Sequence, residues 1–164
     1  MKKIIVIAII LMISCQKNDD ETCCTQIDAD VFISVQNSVG KDLLDESSEA
    51  IALNSIKIKY KMKGGDISEV NDPSLDAPHG FYFYNPHDAS DLYKVQIFLN
   101  TVYLNNSDIS YTYVEWTPNS IDEIRTKFTR TKNTLTAQKI WINDDLVWVH
   151  NEGSQLITIV KENL

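Results

Sequence analysis

An all-β fold, an antiparallel β-sandwich of seven or eight short strands, is what this sequence predicts. Three observations carry that expectation. Apolar and polar residues alternate at period two in short runs, most cleanly in "SIKIKYKMKGG" (55–65). No segment of the body sustains a 3.6-residue apolar period over several turns. Polar stretches bearing glycine, proline or serine separate the runs at short intervals, as in sandwiches.

The elements follow in chain order. Lys2 and Lys3 precede an apolar run over residues 4–14, the layout of a secretory signal peptide. That run is well short of the roughly 20 apolar residues a spanning helix needs. Leu11, Met12, Ile13 and Ser14 lead into Cys15 and resemble the bacterial lipobox. The resemblance implies cleavage after Ser14, a diacylglycerol thioether on the Cys15 sulfur, and acylation of the new amino group. Two or three chains give a durable anchor, because each buried methylene adds about 0.8 kcal/mol. The alternative is an ordinary secretory signal with an incidental cysteine.

Gln16, Lys17, Asp19, Asp20 and Glu21 follow at once and resemble the export signal of surface lipoproteins in the Bacteroidota. A solvated tether explains the same charges, since segments poor in apolar residues stay unfolded. Residues 15–29 are therefore expected to be a lipidated cysteine and flexible acidic tether, following the 1–14 signal and preceding a sandwich domain over 30–164. Cys23 and Cys24 are adjacent, and neighbouring Cα atoms sit about 3.8 Å apart, below the usual disulfide range of about 4.4–6.8 Å. They are expected to be tether residues or intermolecular partners.

In the body, "VFISVQNS" (31–38) puts Val31, Ile33 and Val35 on one face, and "GKDLLDESSEA" (40–50) breaks the pattern. In the 55–65 run Ile56, Ile58, Tyr60 and Met62 oppose Lys57, Lys59, Lys61 and Lys63. "DISEVNDPSLDAPHG" (66–80) is irregular, and "FYFYNPHDASD" (81–91) leads to "LYKVQIFLNT" (92–101) with Tyr93, Val95, Ile97 and Leu99 on one face. "SYTYVEWT" (110–117) and "SIDEIRTKFTRT" (120–131) continue as strands, although Ser120 and Glu123 could open the latter with one helical turn. "KIWINDDLVWVH" (139–150) predicts a tight hairpin turning at Asn143-Asp144, and "SQLITIVKE" (154–162) a last strand. The most specific architecture these strands suggest is immunoglobulin-like.

Composition narrows the function. The chain has 15 basic and 23 acidic residues, a net charge of −8, which becomes −10 once Lys2 and Lys3 leave with the signal. A chain this acidic is not expected to bind nucleic acid, which wants a basic patch. The expected address is the outer membrane, lipid-anchored and facing the cell exterior.

"VFISVQNSVGKDLLD", "YTYVEWTPNSIDEIRTKF" and "KIWINDDLVWV" together resemble small Bacteroidota surface lipoproteins of unknown function. Gly40, Asp42, Leu43 and Leu44 fit their turn after the first strand. Trp116, Asp122 and Ile124 fit an aromatic strand and its successor; Trp141 and Asn143 fit a late hairpin. Asp144 departs from the glycine expected in that turn, a position where Asp tolerates a left-handed backbone. The resemblance implies a β-sandwich and a surface address and supplies no activity.

Catalytic signatures are lacking: there is no G-x-S-x-G elbow and no glycine-rich phosphate loop. The chain is not expected to be an enzyme, and no cofactor follows. His79, His87, Asp72, Asp76, Asp88 and Asp91 crowd residues 72–91, but their spacing matches no metal signature, and a proline-bent acidic loop explains them.

Aromatic residues are the stronger lead. With the turn at Asn143-Asp144, Trp141, Leu146 and Trp148 share one face and Ile140, Ile142, Val147 and Val149 the other. The tryptophans are then either covered by a neighbouring element or form an exposed platform for sugar rings, helped by Tyr111, Tyr113, Tyr82 or Tyr84. The 57–63 lysines either protect a strand edge or offer a docking strip. The expected function is thus a non-catalytic binding or accessory module for a glycan or protein ligand, using Trp141, Trp148, Tyr111 and Tyr113. The alternative is a structural subunit packing on another outer-membrane surface protein, without a small-molecule site.

Overall fold

A computed structural model of the chain describes residues 26–48, 50–88, 91–102 and 107–162. Cys15, Cys23 and Cys24, with the signal and most of the tether, lie outside the described residues. The described chain is all-β. Its strands are β1 (Gln26–Asp28), β2 (Asp30–Gln36), β3 (Lys57–Lys61), β4 (Ile67–Glu69), β5 (Phe81–Tyr84), β6 (Lys94–Phe98), β7 (Ile109–Thr117), β8 (Ser120–Arg130), β9 (Thr134–Ile142), β10 (Asp145–Val149) and β11 (Leu156–Val160).

They form two sheets. The larger runs β1-β9-β8-β7-β3-β4, with β10 also on β9; the smaller runs β11-β2-β6-β5. Period-two alternation sends Val31, Ile33 and Val35 of β2 and Val95 and Ile97 of β6 inward. They meet Ile58, Val114, Trp116, Ile124, Phe128 and Ile140 of the larger sheet in one core.

Both sheets are mixed, which corrects the antiparallel expectation. β11 lies parallel to β2, from Leu156 opposite Phe32 to Val160 opposite Gln36. β1 lies parallel to β9, with Gln26 opposite Thr134. No hairpin can join parallel neighbours, so these pairings leave no local signature; Ser34 and Thr158, whose hydroxyls meet at 3.0 Å, are 124 positions apart. Eleven strands form among the described residues against the seven or eight expected, and three are additions, among them β5 at the start of the 81–91 stretch. β1 forms within the stretch read as tether, and β4 forms within the 66–80 stretch read as irregular. Ser120 and Glu123 open no helical turn, since β8 is extended from Ser120 onward.

Asn37, Gly40 and Asp42 build the turn after β2. Gly40 has φ of 80°, and the Asn37 side-chain oxygen accepts from the backbone N–H groups of Val39 and Lys41. Asp42 accepts from the N–H of Leu44 at 2.9 Å and of Tyr93 at 2.8 Å, tying that turn to the approach of β6. Leu43 and Leu44 then drop into the core.

A second knot joins three elements distant in sequence. Asp122, only 2% exposed, accepts from the Trp116 indole N–H at 2.7 Å and from the Asn143 side-chain amide at 2.8 Å. Lys161, just past β11, completes it with an ion pair to the same carboxylate at 2.9 Å. Three donors around one buried carboxylate satisfy the rule that buried charge must be paired and hydrogen-bonded.

Candidate functional site

The outward face of the larger sheet gathers most of the expected binding residues. Cross-strand register aligns Leu146, Trp141, Arg125 and Tyr111 in one row over β10, β9, β8 and β7. The next row carries Glu123, Tyr113, Lys59 and Glu69. On the other side of the first row, Lys139 faces Lys127, which faces Ile109. Trp141, Tyr111 and Tyr113 are half-buried, with their inward neighbours Ile142, Thr112 and Val114 in the interior.

Cations lie against the aromatic rings. The Arg125 guanidinium stands 4.8 Å from the Trp141 ring centre, and the Lys61 ammonium 4.9 Å from that of Tyr111. Each cation lies over one face of its ring, attracted by the ring quadrupole. Arg125 also pairs with Asp144 at 3.1 Å, so the turn residue anchors the cation beside Trp141. The turn itself forms as expected: Asn143 and Asp144 have φ of 50° and 73°, the two left-handed residues of a type I′ hairpin. Burial, followed by a hydrogen bond to Glu123, raises the Tyr113 hydroxyl pKa to about 12.

Trp148 does not join this face. The turn register is the expected one, Asp145 opposite Ile142 and Leu146 opposite Trp141, but the register then shifts so that Trp148 faces Ile140. A bulge at Val147 changes the face on which later side chains emerge. Trp148 is consequently 6% exposed and part of the core, and its indole N–H has no acceptor among the described residues. His150 packs edge-on against it at 6.0 Å. Tyr82 and Tyr84 belong to β5 in the other sheet, apart from Trp141; they pair edge-to-face with Phe98 and Phe32.

The lysines of β3 protect no edge, because β3 is flanked by β7 and β4. Lys59 pairs with Glu115 and Lys57 with Glu69. The Lys59 hydrogen bond holds the Glu115 carboxyl below its ordinary range. Period two alone could not tell an edge strand from an interior one.

Residues 72–91 do not converge on a metal. Asp72 accepts from the backbone and hydroxyl of Ser74, and Asp91 pairs with Lys94. His79 and His87 are exposed, and no group of three or more His, Cys, Asp or Glu side chains is placed to hold a metal among the described residues.

Part of this stretch instead walls an apolar cleft of about 570 Å³ between the sheets, lined by Ile27, Tyr60, Val70, Leu75, Tyr82 and Phe98 among others. Gly80, at φ of 78°, closes its floor: a Cβ there would stand 3.2 Å from both Ile58 and Val70. The Tyr60 hydroxyl donates to the Phe98 carbonyl at 2.8 Å, and burial raises its pKa to about 12.

Sequence reasoning missed Arg125, Lys127 and Lys139 as members of this outward face. Their signal was present as parity: Arg125 and Lys127 alternate with Ile124 and Thr126, and Lys139 stands two before Trp141. The fold and this face define an all-β protein of two mixed sheets with an aromatic and cationic outer surface. No family model, curated protein or solved structure matches the chain.

Proposed function

We propose that this chain is a lipid-anchored cell-surface lipoprotein whose domain is a non-catalytic binding module for a glycan. The single observation that carries the ligand is the convergence of Trp141, Tyr111 and Tyr113 on one outward sheet face, with Arg125 and Lys61 set against two of the rings. Flat aromatic faces pack on the C–H faces of pyranose rings, and the three rings, each half-buried, leave part of their surface to solvent.

The experiment is a titration of the tryptophan emission of the protein with a panel of polysaccharides. A saturable shift that is lost in Trp141→Ala, with Tm within a few degrees of wild type, is the expected result. If no polysaccharide shifts the emission, the glycan reading falls. The subunit reading then takes its place. It is favoured by the apolar cleft and by the exposure of Ile27 and Leu75 on its rim.

The address rests on the basic start, the apolar run and the Ser14-Cys15 junction. Among the described residues no helix is long and apolar enough to cross a membrane. The acidic residues after Cys15 and the resemblance to Bacteroidota surface lipoproteins support display on the cell exterior. Replacing Cys15 with Ala is expected to abolish incorporation of a labelled fatty acid and move the protein out of the membrane fraction. Retention of label in that variant would sink the anchor assignment. An immunoglobulin-like architecture is supported by the pairing of two sheets around one core. Beside it stand the β7-β8-β9 meander and the parallel β11-β2 pair.

A further inference from the structure

We infer that the glycan taken by the outer face of the larger sheet is anionic, carrying carboxylate or sulfate groups; this rests on the binding-module reading above and specifies its ligand. The starting point is a cross-strand pair. Lys127 and Lys139 stand directly opposite each other on β8 and β9. Like charges in that position destabilise a sheet. Both are exposed, and neither has an ion-pair partner among the described residues.

Three other cations of the face are ion-paired, while Lys61 lies against the Tyr111 ring. Lys57 and Lys59 have Glu69 and Glu115, and Arg125 has Asp144. Glu123, Glu69 and Glu115 lie on the far side of the Trp141 row from the lysine pair; Glu152 stands beyond Val149 in the lysine row, without an ion pair to either lysine. In a chain of net charge −8, two opposed lysines without an ion pair therefore stand at one margin of the aromatic row.

Geometry connects the two features. Lys139 precedes Trp141 by two residues on β9, and Lys127 follows Arg125 by two on β8. Residues two apart on a strand stand about 6.8 Å apart on the same face. A sugar ring lying on Trp141 thus presents its substituents to the two ammonium groups, within reach of flexible four-carbon stems. An uncharged glycan would leave the Lys127–Lys139 repulsion unrelieved, whereas an anionic one relieves it on binding. Nucleic acid also combines stacking with charge, but its charge density would meet the net negative field of the whole chain. A glycan with one anion per residue or per disaccharide meets that field less strongly.

The test uses the full chain in non-ionic detergent, titrated with polygalacturonate, with chondroitin sulfate, and with fully methyl-esterified galacturonan, whose rings match the first probe without its charge. Polyglutamate and a single-stranded oligonucleotide serve as polyanions of other classes. The inference expects one of the two acidic glycans to bind, more weakly as salt is raised, and the esterified polymer to bind at least about tenfold more weakly than polygalacturonate if that is the ligand. In a Lys127→Gln, Lys139→Gln double variant, acidic-glycan affinity should drop about tenfold or more while Tm is unchanged or higher, because a repulsion has been removed.

Equal binding of the esterified polymer, unaffected by the double variant but abolished by Trp141→Ala, overturns the anionic ligand and leaves the glycan module standing. Binding of polyglutamate or the oligonucleotide as tight as that of either acidic glycan, and insensitive to Trp141→Ala, overturns both. Failure of both acidic glycans to bind overturns the inference alone when a neutral polysaccharide of the panel binds.

Discussion

Asp122→Ala is expected to lower the unfolding free energy by about 3–5 kcal/mol, the usual cost of removing one partner from a buried ion pair. The carboxylate is nearly sealed from water, and its loss strands three donors at once: the Lys161 ammonium, the Trp116 indole N–H and the Asn143 amide. Lys161, 14% exposed at its side chain, has little water to fall back on. The damage should also be spatially defined, because the carboxylate ties β8 to the hairpin turn and to the end of β11. Urea unfolding followed by tryptophan emission measures the loss. A companion variant, Asp122→Leu with Lys161→Met, separates the worth of the pair from the cost of orphaning a charge, and it is expected to recover part of the loss. A single-variant effect below about 1 kcal/mol would show the carboxylate to be solvated rather than buried.

Phe128→Ala is expected to cost about 3–5 kcal/mol, the range for emptying an aromatic site in a core. Phe128 is 1% exposed, and its cross-strand neighbour is Ala137, itself fully buried. The ring fills the space that the alanine leaves. A methyl facing a methyl cannot collapse into that volume, so the cavity persists and both the transfer and the cavity contributions apply. Phe128→Leu keeps most of the volume and should cost clearly less. Denaturant midpoints at constant slope decide the matter; equal losses for Ala and Leu would mean that ring shape, and not filled volume, is what the site requires.

Much of the fold was legible because it is local. The inward faces of β2 and β6 follow from period two, and Val31, Ile33, Val35, Val95 and Ile97 are all fully buried. The Asn143-Asp144 turn follows from residues that tolerate a left-handed backbone. The candidate site was legible only in part, for a matching reason. Placing Trp141, Tyr111 and Tyr113 together needed the registers β9 to β8 and β8 to β7, and hydrophobic parity pointed the same way. Trp148 escaped because one extra residue, Val147, reverses parity, and a bulge in a strand with two apolar faces leaves no mark in the pattern. β1 and β4 escaped because each is three residues long and finds its partner through the neighbouring strand's free edge.

The sequence by itself therefore determined the class of the fold, the inward side of most strands, the hairpin turn and the aromatic content of the larger sheet's outward face. All of these depend on relations between residues only a few positions apart. The tertiary structure alone decided the parallel pairings, the burial of Trp148, the ring of donors around Asp122 and the meeting of Lys127 with Lys139. Each of these requires register between strands, or contact between chain ends separated by most of the domain. Register is settled by the summed packing of a whole face, a quantity that no short window of residues contains.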